Sequence, residues 1–186
     1  PVQPRRPDET DAPGLPLAIA VEDLRLRDGE LALGLDALPG VRQVKGLQVQ
    51  LQAQLDQEGI RARLQQVTAQ TMPAKVDLHT LQGVFQLAAG VVRLDDLRLE
   101  MGHTVLTAEG VLPHAQHAAD FALQVDPLDV AEIGRLLQHE ALQGRLRLGV
   151  RLEGPPKALV ASLQLNPIGE DVRGTVALRG EVDALA

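Results

Sequence analysis

Few residues of this chain combine a reactive type with the spacing that catalysis or metal binding requires. His114 and His117 are separated by two residues, which would put two metal ligands on one side of a helical turn. They follow Pro113 in a predicted loop with no acidic partner nearby, so we interpret them as solvent-exposed loop histidines. Ser162 is the only serine, and it lies in a predicted strand without the sharp glycine-flanked turn of a nucleophilic serine.

Two pairs of adjacent carboxylates, Glu22-Asp23 and Asp95-Asp96, are the remaining candidates for acid–base chemistry. Neighbouring residues of a strand point to opposite faces, so we predict that neither pair forms one site and that both mark a turn or bulge. The chain has no cysteine, which excludes thiol catalysis and zinc–thiolate sites. We therefore expect no catalytic residue, no metal site and no cofactor, and we expect that the chain is not an enzyme.

The composition restricts the class of protein further. The 186 residues carry a formal net charge of -7, which argues against the basic surface that nucleic-acid binding needs. Hydrophobic residues make up 45% of the chain but aromatic residues only 1%, so the apolar surfaces must be aliphatic. No apolar run approaches the ~20 residues of a membrane-spanning helix. Because the first residue is Pro1 rather than methionine, we expect a segment of a longer protein.

From residue 15 onward, apolar and polar residues alternate with period two, which predicts β-strands with one apolar face. Turn signals such as Asp28-Gly29 and Asn166-Pro167 recur along the chain, as expected for an antiparallel meander of roughly ten to twelve strands. Residues 1–14 carry four prolines among charged residues, which predicts a flexible tail or linker before one β domain at 15–186. The residues predicted to line the apolar face are Leu24, Leu26, Leu31, Leu33, Leu35, Leu47, Val49, Leu51, Leu97, Leu99, Leu146, Leu148, Val150, Leu152, Leu163, Leu165, Val176 and Leu178.

A weak internal repeat relates residues 21–26 (VEDLRL) to residues 94–99 (LDDLRL). In the first copy the apolar residues have odd numbers before the acidic pair and even numbers after it. In the second copy they change from even to odd numbers. A one-residue slip turns every later side chain to the other face unless the backbone absorbs it. We therefore predict a β-bulge or a tight corner at both acidic pairs.

One segment departs from the strand pattern and predicts a short helix over residues 127–138. Asp126 is suited to the N-cap and Pro127 to the first helical position. Val130, Ile133 and Leu137 follow at helical spacing, and this stripe should pack on the apolar face of the sheet, near one end.

The predicted apolar face is far larger than one short helix can cover. It could pack on a second sheet, close into a barrel, or curl into a trough with room for an apolar guest. Tight sandwich cores usually contain bulky aromatic residues, which this chain almost lacks. We therefore favour an elongated antiparallel sheet curled into an apolar trough, whose uniform aliphatic lining suits flexible hydrocarbon.

Several stretches resemble the strand units of TamB and its AsmA-like relatives. Residues 91–100 (VVRLDDLRLE), followed by residues 104–112, are similar to one such unit. Residues 127–131 (PLDVA), then 142–146 (LQGRL) and 152–156 (LEGPP), follow the order of short helix, glycine-led strand and L-x-G-x-P turn of that family. The resemblance covers roughly residues 15–186.

The resemblance implies an all-β fold called a β-taco, in which a long antiparallel sheet curls into an apolar trough. It also implies a periplasmic segment of a bridge-like lipid-transfer protein, the translocation and assembly module type, with its inner-membrane anchor outside this segment. The implied cargo is phospholipid acyl chains on their way to the outer membrane. The implied partner is an outer-membrane assembly protein, contacted through other parts of the full chain. The alternative is a closed β-sandwich or repeat domain with a structural or adhesive role.

Overall fold

The computed structural model describes residues 18–33, 39–112, 117–139, 143–169 and 176–182, with residues 181 and 182 described by their backbone only. Within these residues the strands are β1 (Ile19–Ala32), β2 (Val41–Leu55), β3 (Gly59–Pro73), β4 (Asp77–Ala88), β5 (Val91–Met101), β6 (Thr104–Val111), β7 (Ala119–Asp129), β8 (Arg145–Gly154), β9 (Leu159–Ile168) and β10 (Val176–Val182). The helix α1 (Val130–Leu136) follows β7, and a 3-10 turn (Pro156–Ala158) precedes β9. The predicted tail at residues 1–14, Leu35 and His114 lie outside the described residues.

The ten described strands form one sheet whose spatial order is the chain order, from β1 at one edge to β10 at the other. Every neighbouring pair is antiparallel. The sheet is open, since β1 and β10 are its two edges. The prediction of an all-β antiparallel meander with one short helix is therefore confirmed.

The register of the sheet sorts the side chains into an apolar and a polar face. In β7 to β10, Val125 lies beside Leu148, and Leu148 lies beside Leu165. The next residue along each strand belongs to the opposite face, where Gln124 lies beside Gly149 and Gly149 beside Gln164. We call the apolar side the trough face; its residues include Leu24, Leu26, Leu51, Leu64, Phe85, Leu94, Leu97, Leu99, Leu106, Leu123, Val125, Leu148, Val150, Leu163, Leu165, Val176 and Leu178.

Both predicted bulges are present. The register of β1 against β2 shifts between Val21 and Leu24, on either side of the first acidic pair. The register of β5 against β6 shifts between Leu94 and Leu97, and Asp96 in that gap has a φ of 50°. Each shift turns the following leucines back to the trough face, so the slip in the sequence leaves the apolar face continuous.

The helix is shorter than predicted and its cap is a different aspartate. Asp126 lies inside β7, and pairing with β8 continues as far as Asp129 opposite Arg145. Asp129 is the N-cap, since its Oδ1 accepts hydrogen bonds from the backbone N–H groups of Ala131 at 2.9 Å and Glu132 at 3.3 Å. The assignment of Asp126 as the cap was wrong because the strand ladder with β8 occupies the residues that would have formed the first turn.

One end of the sheet carries most of the tight apolar packing, and we call it the covered end. Its buried residues are Val41, Ala74, Val76 and Leu136, and Leu33, Val44, Met101 and Ile133 pack against them. The helix supplies Leu136 and Ile133, while Leu137, the third residue of the predicted stripe, is half-buried at the C-cap. Val41 at the start of β2, and Ala74 and Val76 between β3 and β4, supply the rest of the buried cluster.

The position of α1 requires the sheet to curl. The helix begins directly after β7, yet the carbonyl oxygen of Leu136 accepts a hydrogen bond from Gly40 N–H, at the start of β2, at 2.8 Å. Five strand spacings separate β7 from β2, which is ~24 Å in a flat sheet. Seven helical residues span only about 10 Å. The strand ends on this side are therefore drawn together under α1.

Candidate functional site

The trough face is the principal candidate site, because its apolar side chains remain accessible. Of the seventeen predicted lining residues that the structure describes, none is buried. Exposure is largest at the two edge strands, with Leu24 at 48% in β1 and Leu178 at 59% in β10. The lining residues of the interior strands, such as Leu148 and Val150, are half-buried.

The structure brings the predicted lining residues of distant strands onto one surface. Leu24 and Leu26 lie beside Leu51 and Val49. In β5 to β10 the register connects most of the other predicted positions in three lateral rows. The rows are Leu99–Leu106–Val125–Leu148–Leu165–Val176, then Leu97–Ala108–Leu123–Val150–Leu163–Leu178, and the shorter Phe121–Leu152–Ala161.

Four of the described residues that were predicted to line the trough lie outside these rows. Leu47 of β2 lies opposite Gly29 of β1. Leu33 packs against the covered end and is part of its apolar cluster. Leu31 pairs with Val44, which also packs there. Leu146 lies at the start of β8, next to Pro167 of β9.

Sequence reasoning missed the lining residues of β3, β4, β6 and β7. These include Leu64, Val67, Phe85, Leu87, Leu106, Leu123 and Val125. The alternation of Phe121, Leu123 and Val125 was a signal that could have found the β7 residues. Val67, Ala108 and Val125 are buried at 9%, 4% and 4% exposure, so these small side chains form the floor of the trough face.

The polar face of the described strands carries ion pairs. Asp23 and Arg25 form an ion pair at 2.6 Å, and the Asp23 hydrogen bond raises the pKa of Arg25. Asp95 accepts a hydrogen bond from Gln86 at 3.2 Å. A depression of about 340 Å³ over β4 to β7 is lined mainly by polar-face residues, among them Gln82, Arg98, Thr107, Glu109 and Gln124. Both acidic pairs lie at the register shifts of β1 and β5, as predicted from the sequence.

A second cluster of polar side chains lies where α1 meets the β5–β6 turn. His103 Nδ1 lies 3.1 Å from Glu132 Oε1 and 3.8 Å from Asp129 Oδ2. Thr104 joins the two acids, because its hydroxyl donates to Glu132 Oε2 at 2.8 Å and accepts from Asp129 N–H at 3.0 Å. The potential ligand atoms of His103, Asp129 and Glu132 all lie within 4.8 Å of one another.

Glu132 is the most deeply buried charged residue of the described chain, with 1% of its surface exposed. Besides Thr104, it accepts a hydrogen bond from the backbone N–H of His103. Gly102 makes room for this carboxylate: its φ is +54°, and a Cβ atom there would collide with Glu132 Oε1. These contacts fasten α1 to the sheet. Sequence reasoning missed the cluster because His103 and Glu132 are 29 residues apart and only the β6–β7 hairpin brings them together.

Of the two histidines singled out from the sequence, the structure describes His117, which is not part of this cluster. His117 is exposed, at the start of the segment before β7. Ser162 lies in β9, as predicted, opposite Arg151 of β8 and Arg179 of β10.

Comparisons with protein-family models, with curated proteins and with solved structures find no match for this chain. In the part of the chain that the structure describes, no helix is long and apolar enough to cross a membrane.

Proposed function

We propose that this chain is a periplasmic segment of a TamB/AsmA-like protein that shields phospholipid acyl chains on their way from the inner to the outer membrane. The observation that carries the proposal is the trough face, an aliphatic surface that runs across all ten described strands and stays largely uncovered. Large accessible apolar surfaces of this kind mark sites for apolar ligands or partners.

The chemistry of the lining favours flexible hydrocarbon over a rigid ligand. Rows such as Leu97–Ala108–Leu123–Val150–Leu163 present methyl and methylene groups without a polar group among them. Each methylene that moves from water onto such a surface gains ~0.8 kcal/mol. Because neighbouring positions are chemically alike, a chain could slide from one row to the next without crossing a large energy barrier.

In this proposal the acyl chains and the headgroup of a phospholipid occupy different surroundings. Acyl chains would lie on the trough face, while the headgroup stays in water at the open seam, since an unpaired charge on an aliphatic surface is costly. The Arg and Gln rows of the polar face, with ion pairs such as Arg98–Glu100 at 2.6 Å, keep the outer surface hydrated. No covalent step is required, so the proposed protein is not an enzyme.

The proposed location and partners follow the same hypothesis. The segment would lie in the periplasm, with the membrane anchor and the contacts to an outer-membrane assembly protein in other parts of a longer chain. A structural or adhesive role for the same sheet is the competing function, and it predicts that no lipid accompanies the purified protein.

The test compares bound lipid in two variants that carry the same new charge on opposite faces. Leu148→Arg puts a guanidinium on the trough face, and Gln164→Arg puts one on the polar face. We expect wild-type protein and Gln164→Arg to co-purify with phospholipid by mass spectrometry. We expect Leu148→Arg to keep its far-UV circular dichroism and to lose most of the lipid, because Arg can extend its charge to the open seam.

Three outcomes would count against the proposal. Absence of phospholipid from wild-type protein expressed in a Gram-negative host favours the structural role. Equal lipid content in both variants means that the trough face is not the binding surface. Unfolding of Leu148→Arg alone means that this face is a closed core in solution.

A further inference from the structure

We propose that His103, Asp129 and Glu132 form a binding site for a divalent cation of the Zn²⁺ class. The site lies between the β5–β6 turn and the start of α1. It is independent of the proposed lipid function and differs from the expectation, drawn from the sequence, that the chain holds no metal.

The donor atoms have nearly the spacing that zinc needs. Zinc bound to nitrogen and oxygen at ~2.0–2.1 Å in tetrahedral geometry holds its ligand atoms roughly 3.3 Å apart. The Nδ1 atom of His103 lies 3.1 Å from Glu132 Oε1 and 3.8 Å from Asp129 Oδ2. All three atoms lie within 4.8 Å of one another, so side-chain rotations would bring them around one ion.

The charge of the cluster favours a cation. Glu132 is 1% exposed and Asp129 is 16% exposed at the side chain. Among the described residues, the arginine that pairs with Glu132 is Arg135, whose Nη2 is 4.0 Å from Glu132 Oε1 and whose side chain is 47% exposed. Two carboxylates held this close repel each other in a partly buried site, and a divalent ion would offset both charges.

The hydrogen bonds fix the direction of both carboxylates and leave a lone pair on each ligand oxygen. Glu132 Oε1 accepts the backbone N–H of His103, so an ion would use the second lone pair of that atom. Asp129 Oδ1 accepts from the N–H groups of the first turn of α1, so Oδ2 faces His103. The Thr104 hydroxyl holds Glu132 Oε2 at 2.8 Å. Partners of this kind orient metal ligands in known sites. Because the His103 side chain is 71% exposed, an ion can enter from solvent and keep water in its remaining coordination positions.

The donor set points to zinc rather than to calcium or magnesium. One imidazole and two carboxylates suit Zn²⁺, whereas Ca²⁺ and Mg²⁺ prefer six or more oxygen ligands. A bound ion would join the β5–β6 turn to α1 and so reinforce the covered end.

The test is isothermal titration of the 186-residue chain with ZnCl₂ at neutral pH in a non-chelating buffer, together with melting curves. We expect one Zn²⁺ per chain, a higher Tm with ZnCl₂ and reversal of that increase by EDTA. His103→Ala should weaken binding at least ~10-fold and remove the Tm increase. His79→Ala and His117→Ala, which change other exposed histidines, should bind like wild type.

A second variant separates ligand orientation from the ligands themselves. Thr104→Val keeps all three ligands but removes the hydroxyl that holds the Glu132 carboxylate and accepts the backbone N–H of Asp129, and we expect ~10–100-fold weaker binding. The proposal is overturned if ZnCl₂ shows no saturable binding, if His103→Ala binds as tightly as wild type, or if His117→Ala loses the site instead. Tighter binding of CaCl₂ or MgCl₂ than of ZnCl₂ would also overturn it.

Discussion

The covered end and the trough face contain the same types of aliphatic residue but differ in how deeply those residues are buried. At the covered end, Val76 is 1% exposed and Leu136 is 6% exposed under α1. On the trough face the predicted lining residues are half-buried or exposed. The difference lies in what covers them, since a seven-residue helix can cover only a few strand ends.

This contrast separates the residues that stabilise the fold from those that the proposed function would use. Apolar side chains stabilise a fold in proportion to the area they remove from water. The covered end therefore contributes more stability per residue than the trough face does. The trough face keeps part of its hydrophobic free energy available for an external ligand.

The largest expected effect is a difference between two leucine truncations. Leu136→Ala should destabilise the protein by about 3 kcal/mol, because it leaves a cavity in a packed cluster. Leu148→Ala should cost about 1 kcal/mol or less in lipid-free protein, because the trough face is already half-open. Urea denaturation of both variants measures the difference, and equal costs would contradict the distinction between the two regions.

An intermediate effect is expected from two glycines with similar backbone angles. Gly102 and Gly46 have φ values of +54° and +57°, but only Gly102 faces the Glu132 carboxylate. Each alanine variant should lose about 1 kcal/mol through backbone strain. Gly102→Ala should lose at least about 1 kcal/mol more, because it displaces a buried, hydrogen-bonded carboxylate. If thermal melts show the same loss of stability for both variants, Glu132 does not anchor α1.

The smallest expected effect distinguishes the two aspartates near α1. Asp129→Ala should cost about 1 kcal/mol through loss of the N-cap. Asp126→Ala should cost about 0.5 kcal/mol or less, because Asp126 makes only an exposed ion pair with Arg147 at 3.0 Å. Chemical denaturation in the presence of EDTA removes any contribution from bound metal. If Asp126→Ala loses more stability than Asp129→Ala, then Asp126 is the N-cap, as predicted from the sequence.

The strands and their bulges could be predicted because they depend on local pattern. Alternation of period two defines one face of a strand, and a parity change at residues 22–23 or 95–96 requires a bulge if that face is to remain apolar. Both bulges were present for this reason. Leu31 and Leu33 fit the same alternation, but the curl of the sheet placed them near the covered end.

The start of α1 and the His103 cluster depend on contacts that local pattern does not contain. Asp126 and Asp129 are both good N-caps, and the ladder between β7 and β8 selects the second. Glu132 resembles an ordinary acidic residue of a first helical turn. Its burial follows from the position of Gly102 and Thr104 beneath it, which the fold of the β6–β7 hairpin determines.

The strand order has a consequence for how the chain folds. Each strand pairs only with its neighbours in sequence, so hairpins can form one after another with small loop-closure entropy. The contact between α1 and the β1–β2 turn is different: the Gln138 side chain donates to the Pro39 carbonyl oxygen across 99 residues of sequence. That contact can form only after β7 and α1 have left the ribosome. Synthesis from the N-terminus therefore produces β1 to β7 before α1 can fasten the covered end, and β8 to β10 follow.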